Sequence, residues 1–76
     1  MPHVIVKLYS ERSDQQKEKL AAEVTKAVMD TLNYGEESVS VGIEDVEPKD
    51  WVEKVYEPDI LAKPKTIYKK PGYNPL

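Results

Sequence analysis

Two short apolar runs with one long amphipathic stretch between them constrain this chain most. His3 to Tyr9 reads as a strand, with Val4, Val6 and Leu8 on one face and Ile5 and Tyr9 on the other. Apolar residues on both faces suit an interior strand of a partly parallel sheet. After a polar break at Ser10 to Ser13, Ser13-Asp14-Gln15-Gln16 has the form of a capping box, with Ser13 as N-cap and Gln16 at the third helical position. A helix is expected from Asp14 to Thr31 or Leu32, with Leu20, Ala21, Val24, Ala27, Val28 and Leu32 as its apolar stripe. Asn33-Tyr34-Gly35 closes it, Gly35 being the residue able to take positive φ. Ser38 to Val46 is a second strand, with Val39, Val41 and Ile43 facing one way and Ser40, Gly42 and Glu44 the other. The expected fold class is therefore α/β (α+β), a βαβ unit with parallel strands and a right-handed crossover.

With 76 residues the chain is one domain, 1–76, of which 2–46 form the βαβ core and 47–76 a short helix and C-terminal tail. Glu47-Pro48-Lys49-Asp50 can start the short helix, with Trp51, Val55, Val52 and Tyr56 on its apolar side. Pro58 and Pro64 are expected to break any long element, Thr66 to Lys69 to form a short edge strand, and Lys69-Lys70-Pro71-Gly72-Tyr73 to be a turn and tail. Two strands and one helix cover only one sheet face, so the other needs a second subunit or the C-terminal segment. A chain this small usually adds disulfides, a metal or a partner. With no cysteine and one histidine it can make neither a disulfide nor a closed zinc site, so a homodimer is expected. The net charge of −3, with lysines scattered among acids, argues against nucleic acid or an anionic membrane as partner. No apolar run is long enough to span a membrane and no signal-peptide pattern opens the chain, so a cytoplasmic protein is expected.

Pro2 raises a chemical question. An initiator methionine is commonly removed before a small residue, proline included, and Pro2 would then carry a secondary amine. An ordinary α-amino group titrates at about 7.7–8.0, and apolar burial or a nearby cation lowers that value. Such an amine can serve as a general base, or form an iminium with a carbonyl compound. Against this stands the plain reading of a proline at a strand edge. Arg12 is the only arginine of the chain, His3 the only histidine and Trp51 the only tryptophan. Parallel strands put Pro2 beside Val39-Ser40, whereas Arg12 lies past the far end of the first strand, about 25–30 Å away at roughly 3.3 Å per residue. Arg12 would meet a Pro2 only across a subunit interface.

Pro2 after Met1, the short strand, Arg12-Ser13-Asp14 with Gln15-Gln16-Lys17, the long helix and Ser38-Val39-x-Val41 together resemble the 4-oxalocrotonate tautomerase family of the tautomerase superfamily. The resemblance covers residues 2 to about 46. Trp51 and the Lys69-Lys70-Pro71-Gly72-Tyr73 ending are similar to a longer-tailed, PptA-like subgroup. It implies a cofactor-independent isomerase that interconverts the enol and keto forms of a 2-oxo acid, such as a 2-hydroxydienoate or the enol of phenylpyruvate. Pro2 matches the catalytic base and Arg12 the arginine that grips a substrate carboxylate through two parallel hydrogen bonds. Trp51 matches an aromatic pocket wall; by itself it could equally cover the open sheet face. The family's second arginine falls at Ser40, which can donate a hydrogen bond to substrate but brings no charge. Losing a charged donor costs a few kcal/mol, or roughly a hundredfold in rate, so His3, Lys7 or a tail lysine is a candidate substitute. His3, pointing away from the Pro2 face, also has a purely structural reading. The alternative function is a catalytically weak dimeric scaffold or binding module of the same fold. A hydrating variant with Glu44 as acid partner is a third.

Overall fold

The computed structural model describes residues 1–76. Strand β1 (His3–Tyr9) leads into helix α1 (Asp14–Leu32), and strand β2 (Ser40–Val46) returns beside β1 in parallel, giving a two-stranded sheet. The register pairs His3 with Ser40, Ile5 with Gly42, Lys7 with Glu44 and Tyr9 with Val46. The expected βαβ unit is thus present.

Helix α1 begins where its sequence says it should. The Gln16 N–H donates to Ser13 Oγ at 3.1 Å and the Ser13 N–H donates to Gln16 Oε1 at 3.0 Å, so both bonds of the capping box are made. Its end departs from expectation. Asn33, with φ 61°, takes the left-handed position and its N–H closes on the Met29 carbonyl, while Gly35 is extended at φ −79°. Asparagine tolerates the left-handed region better than other residues with a Cβ, so the helix stops before glycine is needed. Strand β2 likewise starts at Ser40, not Ser38. A 3-10 turn over Glu36–Ser38 uses the Ser38 and Val39 amides on the Gly35 and Glu36 carbonyls, both at 3.1 Å. Those amides are not free to join the ladder.

After a 3-10 turn at Pro48–Asp50, a wide helix α2 (Val52–Leu61) contains Pro58. The sequence reading had Pro58 as a breaker. The helix instead coils in the wide form, closing with the Ala62 N–H on the Glu57 carbonyl five residues back at 2.9 Å. Proline lacks the N–H that a regular helix requires, and a π-type coil is a form in which a helix absorbs such irregularity. No strand forms at Thr66 to Lys69. Pro64–Thr66 is another 3-10 turn, with the Thr66 N–H on the Lys63 carbonyl at 3.0 Å.

Helix α1 packs against β2; Val4, Val6, Leu8, Val41 and Ile43 share one sheet face, and Leu20, Val24 and Val28 of α1 are half-buried. The Lys17–Asp45 ion pair at 2.7 Å ties this layer together. Ala27 and Leu32, expected in the stripe, are exposed. On the opposite face α2 lies over the Tyr9–Val46 end and reaches Lys7 through Asp59. Val46, Val55 and Tyr56 are the only buried residues, so the interior sits under α2, and Ile5 remains 54% exposed. No helix is long and apolar enough to cross a membrane. Replacing Ser13 by Ala, which deletes half of the capping box, is expected to lower stability by about 1 kcal/mol, read as a drop in Tm by circular dichroism with the secondary-structure signal at 20 °C unchanged.

Candidate active site

Pro2 stands at the open N-terminal end of the sheet. Its carbonyl accepts the Ser40 N–H at 3.2 Å, the first bond between the two chain segments. That bond and the His3–Ser40 register fix Pro2 beside the start of β2. The side chain of Pro2 is half-buried, while Met1 ahead of it is 96% exposed and packs on nothing. As long as Met1 is attached, the Pro2 nitrogen is an amide and has no basicity.

Ser40 lies one residue away, and its hydroxyl is 2.7 Å from Nδ1 of His3. The two side chains share the face opposite α1, because directly paired residues of parallel strands point the same way. The imidazole leans over Gly42, where a Cβ would meet nothing nearer than His3 Cε1 at 4.0 Å. The sequence contained the signal for this pair, since each residue sits at the start of a parallel strand.

Arg12 is at the other end of β1. The turn carrying it is held by the Ser10 N–H on the Val46 carbonyl at 3.2 Å and by Ser10 Oγ on Glu47 Oε1 at 3.1 Å. Glu11 adopts φ 92°, a left-handed conformation that costs a residue with a Cβ of order 1–3 kcal/mol. The strained turn delivers Arg12 to solvent, exposed and with no ion pair. It borders shallow hollows beside Leu8, Gln16 and Leu20 and beside Tyr9 and Pro48.

Trp51 belongs to the Arg12 end. Its ring meets Tyr9 edge-on, with centroids 5.1 Å apart and planes at 82°, and its Nε1–H donates to the Tyr73 hydroxyl at 3.2 Å. Tyr73 in turn lies against Tyr56 at 6.0 Å, so the tail docks on the indole. Trp51 also borders an open groove of about 460 Å³ with Ile5, Lys7, Val55 and Asp59. One protomer therefore brings together Pro2 with Ser40, and separately sets Arg12 near Trp51, with the length of the sheet between the pairs. Lys7, a candidate substitute for the second arginine, is instead bound to Asp59; Tyr9, Tyr73 and Asp59 were not singled out from sequence as site-forming, because their contacts depend on how α2 and the tail fold back.

Lys7 bonds Asp59 across the open face. The hydrogen bond to Asp59 raises the Lys7 pKa above its ordinary value, partial desolvation opposes that, and the charges of Asp59 and Glu44 add to the rise. A lysine whose pKa is raised on folding contributes stability fully below its unfolded pKa and loses it as pH climbs through the folded one. Asp59→Asn should therefore lower Tm by a constant amount across neutral pH. The gap from wild type should close only above about pH 10.4, as measured by thermal melts along a pH series.

Comparison with known proteins agrees with this architecture. The pattern defining the family described as "Tautomerase enzyme" matches residues 2–55. The chain is 42% identical over 76 residues to "Probable tautomerase" of Xylella fastidiosa, covering 100% of this chain and 93% of that protein. It is 38% identical over 74 residues to "Tautomerase PptA" of Cronobacter sakazakii, covering 96% and 97% of the two chains. Among solved structures it is similar to YwhB, a homologue of 4-oxalocrotonate tautomerase, with TM-score 0.59 and 41% identity over 60% of this chain and 75% of that one. The chain belongs to the tautomerase family and has the fold of the 4-oxalocrotonate tautomerase homologues. Its class is that of an isomerase-type enzyme.

Proposed function

We propose that the protein ketonises the enol of a 2-oxo acid, with phenylpyruvate enol or a 2-hydroxydienoate as the substrate class, and that Pro2 is its general base once Met1 is removed. The observation that carries this reading is the setting of Pro2. It is anchored by its own carbonyl to Ser40 at the sheet edge, while its nitrogen side holds only a solvent-exposed methionine. Loss of Met1 uncovers a secondary amine without disturbing a packed side chain. The amine takes the enol hydroxyl proton, the electron pair shifts toward carbon, and the resulting ammonium returns the proton to carbon to give the 2-oxo acid. Only a proton moves and no oxidation state changes between the two tautomers, so one well-placed base accounts for the step without a cofactor.

The site is shared between two copies. Pro2 and Ser40 lie at one end of a protomer and Arg12 with Trp51 at the other. A two-fold homodimer with the sheets antiparallel brings Arg12 and Trp51 of one copy to Pro2 of its partner. It also covers Ile5 and the rest of the open sheet face, which a chain with three buried residues leaves to water. Arg12 then holds the carboxylate, and Trp51 excludes water around the amine. We assign the reaction to the cytoplasm, in keeping with a cysteine-free chain.

Mature protein, with loss of Met1 verified by intact mass, should ketonise phenylenolpyruvate, followed by the decay of enol absorbance. Pro2→Ala should lower kcat by roughly a hundredfold or more; a Pro2→Ala variant as fast as wild type would rule out the base assignment. Two inactive variants also test the shared site. Pro2→Ala and Arg12→Ala proteins, unfolded together and refolded as a mixture, should regain activity that neither shows alone, because a mixed dimer holds one intact site.

A further inference from the structure

We infer that His3 is a positioning residue that turns the Ser40 hydroxyl into a directed hydrogen-bond donor for the reacting oxygen of the substrate. This rests on the reading of Pro2 as base. Ketonisation develops negative charge on the enol oxygen while the proton is in transit, so a donor near Pro2 is needed. Ser40 is one residue from Pro2 by the backbone bond and presents its side chain on the open face. The cation further along that face, Lys7, is committed to Asp59, and the tail's Lys70 borders a separate hollow with Tyr56 and Tyr73. His3 is the group that meets Ser40, at 2.7 Å.

The direction of that bond decides what Ser40 can do. A serine hydroxyl has one proton and two lone pairs. If Ser40 donates to Nδ1, its proton is spent and it can only accept from a ligand. If Nδ1–H donates to Oγ, one lone pair is filled and the hydroxyl proton is free to point at substrate. A donor on Oγ also polarises the O–H bond and strengthens what it donates.

The single histidine makes the test direct. In uniformly ¹⁵N-labelled mature protein one imidazole contributes to the spectrum, and Nδ1 should carry a proton; a neutral ring protonated only on Nε2 overturns the inference. Kinetics with phenylenolpyruvate give the second arm. Ser40→Ala should lower kcat roughly a hundredfold with little change in KM, and His3→Ala roughly tenfold. The double variant should be no slower than Ser40→Ala alone. His3→Gln, whose amide can donate to Oγ, should recover most of the loss. Additive effects, losses confined to KM, or a His3→Gln as slow as His3→Ala refute the pair. Pro2→Ala assayed in parallel separates the two readings. If it keeps the wild-type rate, the base assignment falls and takes this inference with it. If it is inactive while His3→Ala and Ser40→Ala are unimpaired, only the role of the pair is lost.

Discussion

The parallel pairing of β1 with β2 is the constraint from which the other features follow. Because the strands run the same way, the starts of both lie together, and so do their ends. Pro2, His3 and Ser40 are gathered at one edge by that fact alone. The turn before α1, with Arg12, and the segment after β2, with Trp51, are gathered at the other. A hairpin of the same two sequences would have mixed these groups. A parallel pair also requires a long crossover, and α1 supplies it while covering one face. The opposite face is left to α2 and to whatever else reaches it.

Electrostatics divides the molecule in the same way. Lys17 is spent on Asp45 beneath α1, Lys7 on Asp59 across the open face, and Lys54 pairs loosely with Asp50 on the surface. Arg12 has no acidic partner and is presented by a backbone turn that stores strain at Glu11. An unpaired guanidinium fixed on a strained turn is available to an anion from outside the chain. A strained conformation persists only where the surrounding structure over-determines it, here through the two Ser10 bonds to Val46 and Glu47.

Much of this was legible in the sequence, and the limits have physical causes. The capping box at Ser13, the alternation in β1 and the helical stripe of α1 are local patterns, and they appear where they were read except that Ala27 and Leu32 of the stripe are exposed. The misreadings are also local, but each involved a residue with a second way to satisfy its backbone. Asn33 took the left-handed cap before Gly35 was reached, Ser38 and Val39 spent their amides in a turn, and Pro58 was accommodated by a wider coil. What the sequence could not reveal is the fold-back of the C-terminal third. Trp51 was visible as a large aromatic, but its partners Tyr9 and Tyr73 come from segments more than twenty residues away on either side. His3 was read as a candidate substitute for the second arginine, with a structural reading beside it because it points away from the Pro2 face. The register that turns it away from Pro2 is the same register that sets it on Ser40.

The position of the buried residues has a consequence for how the molecule comes into being. Val46, Val55 and Tyr56 follow β1 and α1 in the chain. A polypeptide is made from its N-terminus, so the whole helix and first strand are synthesised before any residue that reaches full burial. The nascent βαβ half can form helical turns, but it has nothing yet to condense upon. Its collapse waits for the segment from 46 to 56, so the last third of the chain sets when the first two thirds can pack.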